Sequence, residues 1–413
     1  MSAARAGLLH PVLAGIVAAL VGFAGAFAIV LAGLHAVGAG DAQASSGLLV
    51  LSISMGAVGV VLSLRHRLPL TIAWSTPGAA LLITAGHVHG GYPAALGAFM
   101  LAGALIVLSG LWPAMTRAIL AIPAPLANGL LAGVLLSVCV APVRALFDIP
   151  ALTAPVIVTW LVLTRVSRRW AVPGALLAAA AGVAIDPAQG AGSAHLLPQL
   201  TWVTPQFDLG TLVGLGLPLF VVTMVSQNVA GISVLRAHGY TAPLRPVLTA
   251  TGAASVVGAP FGAHGINLAA ITAALTAGPD ADPDPARRWI AGVSAGCAYL
   301  VMGLGAGLAT ALLAASPPIL IEAVAGLALL GTLGAALRAA TAGEEQRDAA
   351  MITFVVSASG VAAIGISAPF WGLLGGLAFL AVQRARYGRS SVREPAVADS
   401  AGEAVTLETE TTG

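Results

Sequence analysis

The chain has no lysine, two cysteines and very little charge. Asp, Glu and Arg make up 8% of its 413 residues, against roughly 25% charged residues in a soluble globular protein. So little charge excludes a water-soluble globule. Cys139 and Cys297 both fall inside apolar runs and are not spaced as metal ligands, so they read as buried, inert thiols. Aromatic residues are 5% and form no stripe with basic residues, which leaves no basis for nucleic-acid binding. P-loop, serine-hydrolase elbow and HExxH patterns are absent, and with them support for ATP-driven transport, membrane proteolysis or a bound cofactor. GxGxxG-like runs are expected among 50 glycines and carry no phosphate-site meaning. His87-Val88-His89 lies in a short loop with no Cys or acidic partner in sequence, and Asp280, Asp282 and Asp284 between prolines read as a solvated cytoplasmic loop. All basic residues being arginine, with abundant Ala and Gly, suggests GC-rich coding and hence a bacterial source.

What the chain does have is apolar length. It is 58% hydrophobic with mean hydropathy +0.96, and runs of about 20 residues, each able to cross a roughly 30 Å hydrocarbon layer, recur along it. The spacing predicts spans over about 8–38, 47–64, 74–85, 93–112, 119–140, 150–166, 171–186, 210–237, 246–258, 262–277, 289–315, 317–340, 349–366 and 368–384. The first run is too long for a cleaved signal segment and is read as a true span. With both termini cytoplasmic, every arginine except Arg144 falls on the cytoplasmic side or in the C-terminal tail, as the positive-inside rule requires. Residues 389–413 are polar, lack an apolar period and are expected to be disordered.

The two halves resemble each other. Pro123-Ala124-Pro125 and the following LANGLLAGVLL match Pro317-Pro318 and ILIEAVAGLALL; WAVPGALLAAA matches SAPFWGLLGG; LHAVG matches LRAHG. Seven segments per copy is odd, so the second copy is inverted in the membrane. The expected fold is an all-α polytopic membrane protein of fourteen segments in seven plus seven inverted repeats. Paired short, Gly/Pro-interrupted segments, here at Pro77-Gly78 and Pro260-Phe261-Gly262, are the sequence sign of a secondary transporter.

Those breaks are where chemistry is expected. A half-helix starting at membrane depth leaves N–H groups without intrahelical partners and adds partial positive charge there, which forms an anion site without a buried cation. Ser75, Thr76, Pro77 and Gly78 begin the first half-helix; Phe261, Gly262, Ala263 and Gly265 are expected to open the second. Gln227 and Asn228 sit in the eighth segment, either as neutral donors and acceptors for a ligand or as interhelical hydrogen bonds. His264 and Asn267, three apart, are expected on one face of the second half-helix, where His264 is either a proton carrier or a hydrogen-bonded group at the outer mouth. Glu322 is the acidic residue inside a predicted span, and is either a proton-coupling carboxyl or an interfacial one.

The stretches LTIAWSTPGAALL (70–82), LPLFVVTMVSQNVAGISVLRAHGY (217–240), APFGAHGINLAAITAA (259–274), AGLALLGTL (325–333) and SAPFWGLLGG (367–376) resemble the benzoate transporter (BenE) family of proton symporters, related to uracil permease and the nucleobase–ascorbate transporters. The likeness runs from the first segment through the fourteenth. It implies that segments 3 and 10 each join a short extended piece to a half-helix. It also implies a core domain of residues 1–112 and 210–315 and a gate domain of 113–186 and 316–388, with 187–209 an extracellular linker. An aromatic carboxylate is implied between the half-helices, near Ser75, Thr76, Gln227, Asn228, Gly262, His264 and Asn267, its ring against Trp74, Phe261 and Met224. The chain departs from relatives at Gly25-Ala26 and Leu31-Ala32, where serines and a glutamine occur, and at Glu322, which can be glutamine.

The expectation is therefore a non-enzymatic importer in a bacterial plasma membrane. Its partners are an aromatic carboxylate, protons and the lipid bilayer, with a homodimer left open and no nucleic acid. Access would alternate between core and gate, with Glu322 or His264 carrying the proton. The alternatives are a transporter of another small organic anion or a nucleobase in the same fold, or a passive anion channel.

Overall fold

The computed structural model describes residues 2–167, 170–185, 197–361, 363 and 366–390. The tail from 391 and residues 186–196, which include the start of the expected linker, lie outside the described residues. In chain order the helices are α1 (Ser2–Ala24), α2 (Phe27–Ala36) and α3 (Asp41–His66), then strand β1 (Ile72–Trp74) and α4 (Thr76–Ala85). Next come α5 (Gly91–Leu111), α6 (Pro113–Leu120), α7 (Ala124–Asp148), α8 (Pro150–Val166) and α9 (Ala171–Ile185). A helical rod, α10 (Leu209–Ala237), carries π-turns at Leu212–Gly216 and Met224–Val229. After it follow α11 (Leu244–Gly258), β2 (Ile266–Leu268), α12 (Ile271–Ala277), α13 (Trp289–Gly303), α14 (Ala306–Ala314), α15 (Pro318–Thr341), α16 (Glu344–Ala358) and α17 (Ala368–Ser390).

Six helices among the described residues are long and apolar enough to cross a membrane: Leu8–Ala36, Asp41–His66, Gly91–Leu111, Ala124–Asp148, Leu209–Ala237 and Pro318–Thr341. The chain is a mostly helical, multi-pass membrane protein. Two predicted spans are broken: 8–38 at Gly25-Ala26, between α1 and α2, and 289–315 at Leu304-Gly305, between α13 and α14. Low helix propensity at Gly22 and Gly25 allows the first break.

Helix pairing in hydrocarbon depends on close packing, because lipid competes for apolar side chains. α3 packs on α13 and α15 on α7. At the first seam Gly56 and Gly296 face each other, and a Cβ on either would lie 2.7 Å from the other's carbonyl oxygen. At the second, a Cβ on Gly326 would collide with the Val138 carbonyl and meet Pro142 Cδ at 2.7 Å.

In the middle of the bundle β1 and β2 pair antiparallel, with Ile72 opposite Leu268, Ala73 opposite Asn267 and Trp74 opposite Ile266. Extended backbone at membrane depth survives only where protein satisfies every polar group. Here Ser75 N donates to Gly265 O at 3.0 Å and Ala269 N to Thr71 O at 2.9 Å, extending the ladder at both ends. The outer edge of β2 is closed by side chains: Ile266 N donates to Ser255 Oγ at 2.9 Å and Leu268 N to Asn228 Oδ1 at 3.0 Å.

Three sequence expectations are corrected here. Cys139 is buried as read, but Cys297 on α13 is exposed. Residues 262–277 are not one half-helix: Gly262 (φ 100°) and Gly265 (φ 147°) turn the chain into β2, and the helix starts only at Ile271. The Asp280–Asp284 loop is not fully solvated. Asp282 is buried beneath Arg288, whose Nε donates to the Asp282 carbonyl and whose Nη1 donates to the Ala277 carbonyl at the end of α12.

Candidate functional site

β1 delivers the chain to α4 with Ser75 as its N-cap. Ser75 Oγ accepts from Gly78 N at 3.1 Å and shares a 2.7 Å hydrogen bond with Thr223 Oγ1 of α10. Ser75 and Gly78 are thereby occupied in building the start of the helix, and Pro77 supplies a first-turn φ. Thr76 and the Trp74 ring instead face a cavity of about 190 Å³. Phe23 of α1 stands against that ring, centroids 5.3 Å apart, and fixes its angle.

The π-turn at Met224–Val229 separates the roles of two adjacent amides. A π-turn inserts a residue and re-aims its neighbours, and such bulges recur at functional sites. Asn228 points to the sheet: its oxygen accepts from Leu268 N and its Nδ2 donates to Met224 Sδ at 3.3 Å. Gln227 points into the cavity and its amide has no hydrogen-bond partner among the described residues. One amide holds the frame and the other is free to meet a ligand.

The rest of the wall comes from six elements. The α1 break contributes Gly22, Gly25 and Ala26; the link from β2 into α12 contributes Ala269, Ala270 and Thr272; and α13 contributes Tyr299. Met55 of α3 also lines this side. Facing them are Val172 and Pro173 of α9 and Ala328, Leu329 and Thr332 of α15. Among the described residues, no lining side chain is charged. Hydroxyls, one amide and a helix N-terminus beside an aromatic wall suit a ligand with an apolar body and a polar or anionic end.

Of the predicted site residues, Thr76 and Gln227 line this cavity. His264 is buried behind the sheet, its Nε2 donating to Ser75 O at 3.0 Å and its ring edge-on to Phe99. Asn267 lies in β2, not on a helix. Oriented by its neighbours, its amide nitrogen donates to Leu268 O and its oxygen accepts from Ser75 N, each at 3.0 Å. Gly262 abuts Gly47 and the Tyr92 hydroxyl, Ala263 N donates to Gly258 O at 3.1 Å, and Phe261 packs edge-on to Trp202. Met224, expected at the ring, is buried against Asn228. Glu322 is half-buried on α15 within electrostatic range of Arg144 and does not line the cavity. His89 Nδ1 lies 3.4 Å from Asp208, an acidic partner that the local sequence did not offer.

Sequence reasoning missed Gly22, Thr272, Tyr299 and Thr332. Tyr299 carried a signal, since a tyrosine within an apolar run brings a hydroxyl that needs a partner. The threonines carried none, because a span threonine ordinarily bonds its own helix, as Thr251 does to Val247 O at 2.9 Å.

A family model described as benzoate membrane transport protein matches residues 8–382. The inner membrane protein YdcO of Escherichia coli is 40% identical over 368 residues, 88% of this chain and 93% of that protein. A benzoate membrane transport protein of Acinetobacter baylyi is 31% identical over 375 residues, 89% of this chain and 94% of that protein. Among solved structures, the transmembrane domain of a cyanobacterium bicarbonate transporter, BicA, aligns with TM-score 0.59 at 18% identity, covering 89% of this chain and 97% of that one. The murine anion transporter Slc26a9 in its inward-facing state aligns with TM-score 0.61 at 14% identity, covering 91% and 68%. At these identities the two structures speak to the fold. The family match across the spans and the two relatives together identify this chain as a member of the benzoate membrane transport protein family.

Proposed function

We propose that the chain is a proton-coupled importer of benzoate or a similar aromatic carboxylate in a bacterial plasma membrane, both termini cytoplasmic. The observation that carries this reading is the unpartnered Gln227 amide beside the α4 N-terminus and the Trp74 ring, in a cavity without a charged side chain. The carboxylate is held by Gln227 and by the hydroxyl and backbone N–H of Thr76, the first-turn N–H of α4 that neither proline nor the Ser75 cap removes, and the ring lies against Trp74. Ser75, Pro77, Gly78, Asn228, His264 and Asn267 act behind it, holding the sheet and the helix start in place.

Two β-strand–helix units that pair antiparallel support fourteen segments in inverted repeats, each copy contributing one unit. The core then comprises residues 1–112 and 210–315, the gate 113–186 and 316–388. The cavity's position between α4, α10 and α12 on one side and α9 and α15 on the other supports access alternating by movement of core against gate. Glu322, half-buried within electrostatic range of Arg144, carries the coupled proton in preference to His264, which is buried behind the sheet and does not line the cavity.

Uptake of labelled benzoate into proteoliposomes under an imposed inward proton gradient tests this. Accumulation above the external concentration that collapses with a protonophore is expected. Flux that only follows the benzoate gradient and ignores the protonophore identifies a channel and overturns the reading; displacement by uracil or sulfate but not by benzoates overturns the substrate.

A further inference from the structure

We propose that the same cavity contains a second polar subsite, formed by Thr272 and Tyr299 around Gly22, which takes a hydrogen-bonding substituent on the aromatic ring. The substrates it favours are hydroxylated aromatic carboxylates over their alkyl isosteres. This rests on the aromatic-carboxylate reading and deepens it.

Thr272 lines the cavity, is 5% exposed, and among the described residues its Oγ1 has no hydrogen-bond partner beyond the neighbouring Tyr299 hydroxyl. Buried hydroxyls are ordinarily satisfied, so one left without a backbone partner in a cavity wall marks where a ligand group belongs. Its position explains the vacancy. Thr276, one turn on, bonds the helix carbonyl of Ala273 at 3.2 Å and the Thr71 hydroxyl at 2.6 Å. Thr272 is the second residue of α12, and the residue four before it is Leu268 of β2, so no preceding helical turn offers it a carbonyl.

Tyr299, 2% exposed and also on the cavity wall, brings a second hydroxyl to the same point. A Cβ placed on Gly22 would collide with the Tyr299 hydroxyl and meet the Thr272 methyl Cγ2 at 3.0 Å, so both side chains converge on the glycine. Even turned toward each other, two hydroxyls consume one O–H hydrogen between them; one donor and several lone pairs stay available. A ring hydroxyl, able to donate and accept, fits either orientation. A methyl group of similar size leaves the pair unsatisfied. Sites built to hydrogen-bond a hydroxyl discriminate strongly against analogues that lack it. Gly22 keeps the approach open.

The test is isothermal titration of the purified full chain in detergent with benzoate, the 2-, 3- and 4-hydroxybenzoates and the corresponding methylbenzoates. For at least one ring position the hydroxy compound binds about tenfold tighter than its methyl counterpart, the size expected for one satisfied hydrogen bond. In Thr272→Val that ratio, taken within the variant, falls toward one. Tyr299→Phe lowers it as well and serves where Thr272→Val fails to fold. A ratio near one at every position in the unmodified protein overturns the subsite, as does a ratio that survives in both variants, while benzoate binding itself leaves the transport reading intact. If none of the benzoates binds, that reading falls and this inference with it.

Discussion

His264 Nε2 donates to the backbone carbonyl of Ser75 at 3.0 Å, joining the turn before β2 to the residue that caps α4. Because the carbonyl can only accept, the ring tautomer is fixed with its hydrogen on Nε2. The Nδ1 atom is buried and has no partner among the described residues. His264→Ala removes one of two donors to the Ser75 carbonyl, which keeps its hydrogen bond from Ala79 N at 2.8 Å, so the lost bond costs about 0.5–1.5 kcal/mol. The expected result is a thermal midpoint several degrees lower and weaker benzoate binding. His264→Gln, which can still donate, recovers most of both. A His264→Gln variant that binds well but no longer couples uptake to protons would return His264 to the proton path.

Gln227 and Asn228 are neighbours in sequence with opposite expected phenotypes. Gln227→Ala removes a side chain with no protein partner, so the thermal midpoint should hold while benzoate affinity falls about tenfold or more, as for a lost charge-assisted hydrogen bond. Asn228→Ala strips Leu268 N of its acceptor and opens the edge of β2, costing about 1–3 kcal/mol of stability. Thermal unfolding and titration on both variants check this. Equal effects on both readouts would mean that the π-turn does not separate the two roles.

Glu322→Gln keeps the shape and polarity of the side chain and removes its proton. The expected outcome is loss of proton-driven accumulation, at least tenfold, with benzoate binding and benzoate–benzoate exchange retained, because Glu322 does not line the cavity. Arg144→Gln, removing the opposing charge, should shift the pH dependence of uptake without abolishing it. Accumulation unchanged in Glu322→Gln excludes this carboxyl as the carrier.

Much of this architecture was legible in the residues. Apolar runs marked the spans, and Ser75-Thr76-Pro77-Gly78 is a helix start by composition: a capping hydroxyl, then proline in the first turn. The second half-helix was misplaced because APFG-x-x-G reads locally as a break followed by a helix. What converts Ile266–Leu268 into a strand is its pairing with β1, 192 to 196 residues away in the chain, and the side chains of Ser255 and Asn228 that close its edge. No local pattern reports such partners. For the same reason His264 and Asn267 looked like ligand groups: a polar residue in an apolar run announces a hydrogen bond without saying whether backbone or ligand receives it. Gln227 and Asn228 illustrate the limit, since one π-turn sends identical chemistry to two different ends.

Asp208 supplies the prediction for acid conditions. It caps the start of α10, its Oδ2 accepting from Thr211 N at 2.8 Å, with His89 3.4 Å away. The Thr211 hydrogen bonds, aided by the nearby His89, hold its carboxyl below the usual carboxylate range. A carboxyl depressed in the folded state contributes stability that is present above the unfolded value of about 3.9 and is lost as pH falls through the folded one. From pH 7 to 5 the contribution is therefore constant, and it disappears below about pH 4. Asp208→Asn retains an oxygen to cap Thr211 but cannot titrate. Its thermal midpoint should start slightly below that of the unmodified protein at pH 7, and the two should converge as pH falls through the folded carboxyl's depressed range. Asp208→Ala, lacking the cap, stays lower across the range. Parallel curves for the Asn variant and the unmodified protein, with no convergence in acid, would show that the Asp208 charge contributes nothing to holding this end of α10.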